Sequence, residues 1–199
     1  QLFTEERAAY FPMSLPNQVI GKCVPMSHYF EVEDTLEPLV FPANVNVDRW
    51  FKLPSDRRDA KHRLLTLQRA THQETIVFYE GEQAIGYSSG RMTSASEFMM
   101  NDTGILPDYQ GKGIYSAFLK QYVTFLHDCG YERIVSYHSP TNSAILIAKL
   151  KAGFNIAGME LREHGGASVK LVYFTHQDRF EAFENVHSLE SPTRSNKHD

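Results

Sequence analysis

The sequence is poor in cysteine, has no strong excess of either charge and contains no long apolar run. Its two cysteines, Cys23 and Cys129, provide neither a disulfide framework nor the spacing of a metal site, so we expect no metal ion. The net charge of -4 argues against nucleic acid as the main partner, and no apolar segment is long enough to span a membrane. Because no signal peptide is visible, we expect a cytoplasmic protein.

The composition is otherwise that of an ordinary globular protein. With 199 residues, 42% of them hydrophobic and 22% charged, the chain is long enough for one domain with a proper core. We expect that domain at residues 46–176, followed by a C-terminal helix and a disordered tail at 177–199.

Residues 1–45 are expected to form an irregular extension. Five prolines interrupt every candidate element there: Pro12, Pro16, Pro25, Pro38 and Pro42. Short strands are predicted at Gln18 to Cys23 and at His28 to Val32. The extension also contains many aromatic residues, which indicates that it packs on the core or on a partner subunit, as in a homodimer.

The pattern beyond residue 46 predicts a mixed α/β (α+β) sheet. A helical turn is predicted at Asp48 to Leu53 around Trp50, and a helix at Asp56 to Arg69 with Leu64, Leu65 and Leu67 facing inward. Three more helices are predicted: one that starts after Gly113, one from Thr141 or Asn142 to about Ala152, and one at Phe180 to Val186. Strands are predicted at Glu74 to Glu80, Gln83 to Met92, Phe98 to Leu106, Arg133 to His138, Asn155 to Glu163 and Ser168 to Thr175. This order gives an antiparallel meander, a central βαβ crossing, a helix and a C-terminal hairpin.

The most informative stretch is residues 98–130, where a strand, a glycine-containing turn and an amphipathic helix follow one another. Pro107 ends the strand, and Gly111 and Gly113 lie in the turn, where a ligand can approach the backbone without meeting a Cβ. The first amides of the helix lack intrahelical partners, and the positive end of its dipole lies behind them. The turn therefore predicts an anion site suited to phosphate, with an ordinary βα turn as the alternative.

The residues Ile105-Leu106-Pro107-Asp108-Tyr109-Gln110-Gly111-Lys112-Gly113-Ile114-Tyr115 resemble the signature of the GNAT superfamily of acyl-CoA-dependent N-acyltransferases. A second match is Asn142 followed, at the family's spacing, by Gly153-Phe154. The resemblance covers roughly residues 46–175 and implies a GNAT-like fold with acetyl-CoA as the co-substrate.

The resemblance also implies the residues that bind this co-substrate. Its pantetheine would pair with the strand backbone at Ile105 and Leu106, and Asn142 would face its thioester end. Its pyrophosphate would bind the amides of Gln110, Gly111, Lys112, Gly113, Ile114 and Tyr115.

Three residues depart from the family pattern. Tyr115 and Ile145 stand where smaller residues are expected, and Lys149 stands where many members have a tyrosine that acts as general acid.

Acetyl transfer to an amine requires a base, a polarised thioester carbonyl and a proton for the leaving thiolate. Glu97 resembles the family's usual base, with Asp102 as the alternative, and the Ile105 amide can polarise the carbonyl. Because Lys149 replaces the tyrosine, Tyr137 and His138 are the acid candidates, with water as a further alternative.

We therefore expect an N-acetyltransferase that transfers an acetyl group from acetyl-CoA directly to a primary amine, either of a small molecule or of a protein. The alternative is a non-catalytic acyl-CoA-binding module with a regulatory or scaffold role. The sequence does not identify the acceptor.

Overall fold

The computed structural model describes residues 3–42, 55–162 and 166–187. The strands are β1 (Met13–Ser14), β2 (Val19–Cys23), β3 (Gln73–Glu80), β4 (Gln83–Ser94), β5 (Glu97–Ile105), β6 (Arg133–His138), β7 (Asn155–Arg162) and β8 (Gly166–Phe174). The helices are α1 (Thr4–Tyr10), α2 (Met26–Val40), α3 (Ser55–Arg69), α4 (Ile114–Asp128), α5 (Ser143–Lys151) and α6 (Gln177–His187). The predicted turn around Trp50 and the tail from residue 188 lie outside the described residues.

The eight described strands form one sheet in the order β1-β2-β3-β4-β5-β6-β8-β7. Strands β5 and β6 are parallel, and every other neighbouring pair is antiparallel. Helix α4 connects the parallel pair as a crossover, which is the connection that parallel neighbours require. The predicted mixed sheet with its meander, central crossing and closing hairpin is therefore confirmed.

The N-terminal segment is regular, not irregular as predicted, whereas its predicted strand at Gln18 to Cys23 is present as β2. The segment contains α1, β1, β2 and α2, and β2 extends the sheet by pairing with β3. The prolines lie at the boundaries of these elements. Pro12 lies between α1 and β1, and Pro25 immediately precedes α2. A proline is well tolerated at a helix start, where its missing N–H would have no intrahelical partner.

Two local predictions also fail. His28 to Val32 was expected to be a strand, but it lies within the 15-residue helix α2, whose last turn accommodates Pro38. The predicted helix at Asp56 to Arg69 is present as α3, but Leu64 and Leu67, expected to face inward, are 62% and 67% exposed.

The N-terminal segment belongs to the core. Met13, Leu15 and Val19 are buried in the larger of the two hydrophobic clusters that the described residues form. In addition, the Arg7 guanidinium donates to both carboxylate oxygens of the buried Glu74, at 2.7 and 3.1 Å. The segment is thus joined to the sheet by apolar packing, strand pairing and an ion pair.

The two hydrophobic clusters lie on opposite faces of the sheet. The larger cluster joins α4 and α5 to one face and includes Phe98, Phe118 and Phe154. The smaller cluster joins α2 to the other face and includes Val77 and Tyr87. Side chains alternate along a strand, so adjacent β3 residues contribute to different clusters. Within the described ranges, no helix is long and apolar enough to cross a membrane.

Candidate active site

The central feature is the separation of the two parallel strands. Pairing between β5 and β6 ends at Met99 and Val135. Beyond that point β6 continues to pair with β8, and β5 continues to pair with β4 as far as Ile105. The two strands therefore enclose a cleft that opens towards their C-terminal ends.

A β-bulge in β5 accounts for the separation. Met100 pairs with Gly90 and Thr103 pairs with Ser88, so two β5 residues, Asn101 and Asp102, lie opposite a single residue of β4. A bulge of this kind bends its strand and increases the local twist. The bulge follows directly on the last β5–β6 pair, Met99 with Val135, where the two strands stop pairing.

The backbone of β5 lines this cleft. The Leu106 N–H donates to the Ile85 carbonyl across the β4 side at 2.9 Å. Because successive residues of an antiparallel strand direct their polar groups to opposite sides, the Ile105 N–H points into the cleft. The Gln110 side chain donates to the Ile105 carbonyl oxygen at 2.8 Å and so ties the following loop to the strand end.

That loop presents amides at the start of α4. Gly111 and Gly113 have φ values of 72° and 79°, and a Cβ at Gly111 would meet open space. Throughout the described residues, no acceptor binds the amides of Gly111, Lys112 or Gly113, and no side chain caps α4. Together with the first amides of the helix, Ile114 and Tyr115, they form a positively polarised surface.

One amide expected in this set is used elsewhere. The Gln110 N–H donates to the Pro107 carbonyl at 3.1 Å and closes a 3-10 turn at Pro107–Tyr109. The side chain of Tyr115, which departs from the family pattern, packs against the larger core cluster, and burial raises its pKa. Its ring therefore does not cover the loop.

Asn142 is the N-cap of α5, which confirms one of the two predicted caps. Its Oδ1 accepts a hydrogen bond from the Ile145 N–H at 3.4 Å. The observed role is structural, and the contact with a co-substrate implied by the resemblance stays a prediction.

The structure separates the predicted catalytic residues. Glu97 starts β5 in the paired region, about 13 Å along the strand before the bulge. There its carboxylate accepts a hydrogen bond from the Thr93 hydroxyl at 2.9 Å and lies 3.7 Å from the Arg133 Nε. Glu97 is therefore not brought together with the Ile105 amide.

Tyr137 and His138 end β6 and, as adjacent residues of a strand, point to opposite faces of the sheet. The His138 Nε2 lies 3.0 Å from the hydroxyl of the buried Ser136. Burial, and then the charge of Lys149, lower the His138 pKa to about 4. At neutral pH this imidazole is neutral, so it is a weak candidate for donating a proton.

The residue that sequence reasoning missed is Lys149. Its side chain is 1% exposed and reaches the point where β5 and β6 part. The amine donates to the Met100 Sδ at 3.0 Å and lies 4.2 Å from the centre of the Phe154 ring. Burial lowers its pKa from 10.5 to about 7. The spacing of seven residues from Asn142 was the available signal.

A second missed group lies on the α2 face. The Tyr29 hydroxyl donates to Glu33 at 2.8 Å, and burial raises the Glu33 pKa, with further contributions from the negative charges of Asp102 and Glu37. Helical spacing places Tyr29, Glu33 and Glu37 on one side of α2. The incorrect strand prediction at His28 to Val32 concealed this arrangement.

Comparison with known proteins identifies the family. A model of the GNAT acetyltransferase domain matches residues 29–155, more than half of the chain. The chain belongs to the GNAT acetyltransferase family. The match begins within α2, inside the segment that had been expected to lie outside the domain. A comparison with curated protein sequences gives no match.

Solved structures share the fold at low sequence identity. Ribosomal-protein-S18-alanine N-acetyltransferase from Escherichia coli gives a TM-score of 0.60 at 11% identity, covering 79% of this chain and 94% of that chain. A ribosomal L7/L12 alpha-N-protein acetyltransferase in complex with coenzyme A gives 0.59 at 13%, covering 80% and 96%. A GNAT family acetyltransferase from Elizabethkingia anophelis with acetyl-CoA bound gives 0.52 at 12%, covering 79% and 99%.

Proposed function

We propose that this protein transfers an acetyl group from acetyl-CoA directly to a primary amine. Membership in the GNAT acetyltransferase family implies acetyl transfer from acetyl-CoA. The observation that carries the proposal is the set of available amides at Gly111–Gly113, located where β5 turns away from its parallel neighbour. Such amides bind the oxygens of a diphosphate well.

The residues of the cleft fit coenzyme A. An extended pantetheine would pair with the β5 backbone around Ile105 as an added strand does. The amides of Gly111, Lys112 and Gly113 and of the first turn of α4 would bind the diphosphate, and Lys112 adds a positive charge at the exposed loop. When bound, acetyl-CoA supplies the activated acetyl group, and the Ile105 N–H would polarise its carbonyl.

We further propose that the amine approaches from the α2 face. The carboxylates of Glu33 and Asp102 lie there beside the bulge, and they would attract a cationic amine from a small molecule or a protein. Asp102 is the base candidate that adjoins the bulge, whereas Glu97 would act only through an intervening group. Of the two acid candidates taken from the sequence, Tyr137 remains, and His138 is the weaker one because its imidazole is neutral at neutral pH.

The binding part of this proposal is tested by thermal denaturation with acetyl-CoA. At a hundredfold excess over Kd, binding should stabilise the protein by about 3 kcal/mol and raise its Tm by several degrees. Gly111→Asp should abolish the rise, because it places a negative charge where the diphosphate would bind.

Gly81→Asp is the matched control for Gly111→Asp. Both glycines have positive φ and open space where a Cβ would lie, but Gly81 is in the β3–β4 hairpin. The two variants therefore carry the same charge change and a similar backbone cost. If Gly81→Asp also loses the shift, or if the wild type shows no shift with millimolar acetyl-CoA, the proposed cofactor site is wrong.

A non-catalytic acyl-CoA-binding module is the second candidate, because Lys149 occupies the position of the tyrosine acid. Thiol release from acetyl-CoA with a broad panel of primary amines distinguishes the two functions. An enzyme releases free thiol with at least one amine, whereas a binding module shows the thermal shift without turnover.

A further inference from the structure

Lys149 is a buried ammonium group that lacks the usual compensation. Its side chain is 1% exposed, and in the described part of the chain no carboxylate lies within 4.0 Å of its amine. Lysine is almost never fully buried unless it is paired, because removing its charge from water is costly. A well-packed methionine or leucine at this place would cost less.

The surroundings of the amine place it at the base of the cleft. Met100, which contacts it, is the first β5 residue after the last pair with β6 and immediately precedes the bulge. A titratable group that faces it is His138 of β6, whose pKa is lowered by burial and then by the charge of this amine. Beyond the end of α5, the chain contributes the ring of Phe154.

The amine also has unused capacity to donate hydrogen bonds. An ammonium has three donors, and among the described residues its single acceptor is the Met100 thioether, which is weak. The Phe154 ring makes a cation–π contact with the amine, but it cannot take a proton from it. A thiolate arriving at the base of the cleft would be a far better acceptor than either group.

We propose that Lys149 donates the proton that the CoA sulfur takes up during acetyl transfer, an inference that rests on the proposed function. As the amine nitrogen bonds to the acetyl carbon, the carbon–sulfur bond breaks and its electron pair stays on sulfur. The sulfur then takes a proton from the Lys149 ammonium, giving free thiol and a neutral lysine. The proton released by the acceptor amine goes to the base, for which Asp102 is the candidate, and from there to solvent, and solvent reprotonates the lysine.

The ionisation of the lysine suits this step. With a pKa of about 7, a large fraction of the amine is protonated at neutral pH. An ordinary thiol has a pKa of about 8.5, so the transfer from ammonium to thiolate is favourable. A lysine with the usual pKa of 10.5 would be a weaker acid and would donate less readily.

The first experiment measures binding rather than turnover. The ultraviolet absorbance of the thiolate is titrated against pH for CoA bound to the wild type, to Lys149→Met and to Lys151→Met. An adjacent ammonium favours the thiolate, so the thiol pKa should be lower on the wild type than on Lys149→Met. Lys151 is exposed on the same helix, so Lys151→Met should match the wild type. Equal thiol pKa values on all three proteins overturn the proposal.

The second experiment uses methoxyamine as the acceptor, because it stays neutral across the pH range. The wild-type kcat/KM should fall about tenfold per pH unit above the lysine pKa. Lys149→Met should lose this pH dependence and about a hundredfold in kcat, with little change in the KM for acetyl-CoA. A structural role alone would leave the pH profile unchanged, and that result overturns the proposal.

Two other outcomes are informative. Mass spectrometry that finds the acetyl group on Lys149 itself would show that the lysine is a nucleophile, and it would refute the proton-donor role. A wild type that binds CoA but releases no thiol, with methoxyamine or with any other amine, refutes the proposed enzymatic function and this role with it. An active wild type whose kcat and pH profile survive in Lys149→Met refutes only this role.

Discussion

Replacing Lys149 with methionine should stabilise the protein in a pH-dependent manner. The folded state lowers the pKa of this lysine from 10.5 to about 7. Since a tenfold change in an equilibrium corresponds to about 1.4 kcal/mol, the charged lysine costs the folded state about 5 kcal/mol. Methionine has a similar length and no charge, so it avoids this cost and can pack against Phe154 and Met100.

The direction of the pH dependence follows from proton uptake. Between about pH 7 and 10.5 the unfolded chain binds more protons at this lysine than the folded chain, so wild-type stability rises with pH. From pH 7 to pH 9 the deprotonation of Lys149 should raise the free energy of unfolding of the wild type by about 2 kcal/mol. Below about pH 6 both states are protonated and the cost is constant.

Urea denaturation of the wild type and of Lys149→Met at about pH 6, 7, 8 and 9 provides the assay. The difference in unfolding free energy should be largest at about pH 6 and should shrink as pH rises. NMR titration should also show a higher His138 pKa in the variant, because the neighbouring charge has been removed. A stability difference that is independent of pH would refute the inferred ionisation of the buried amine.

Two further substitutions test the packing of the fold. Arg7→Met should lower the free energy of unfolding by roughly 3 kcal/mol, because it leaves the buried Glu74 without its guanidinium partner. Urea denaturation measures this loss, and it should show no such loss when the exposed Arg63 is replaced in Arg63→Met. Gly86→Ala should lower it by about 1–3 kcal/mol, because the new Cβ would lie 2.5 Å from the Gly104 carbonyl oxygen. An unchanged thermal midpoint for Gly86→Ala would contradict the close approach of β4 and β5.

The centre of the fold could be predicted because its signals are local. Pro107, Gly113 and Gly130 mark the end of β5, the start of α4 and its end, and each has the conformation its residue type favours. The position of the loop at Gly111–Gly113, before the start of α4, follows directly from these boundaries.

The N-terminal segment could not be predicted in the same way. Tyr29, Phe30 and Val32 favour strands individually, yet α2 forms because Tyr29, Val32 and Leu36 recur at helical spacing and pack on Val77 and Tyr87. In the sequence the prolines indicate interruptions, although several of them start or precede regular elements. Tertiary contacts therefore determine the secondary structure of these residues.

The ionisation of the active-site residues could not be predicted from the sequence for a related reason. The sequence shows that Lys149 replaces a tyrosine, but its environment depends on Met100 from β5, His138 from β6 and Phe154. Likewise, the Glu33 pKa is raised first by burial and further by the negative charge of Asp102 from β5, a residue distant in sequence. Ionisation depends on neighbours that are distant in sequence, so residue spacing alone does not report it.

Amide chemical shifts on addition of coenzyme A test the central claim most directly. In a 15N–1H NMR titration, the largest changes should occur at Gly111, Gly113 and Ile105, whose N–H groups would bind the diphosphate and the acyl arm. The hairpin residue Gly81 should not respond. If saturating coenzyme A leaves Gly111 and Gly113 unchanged while other residues shift, the cofactor does not bind at this loop.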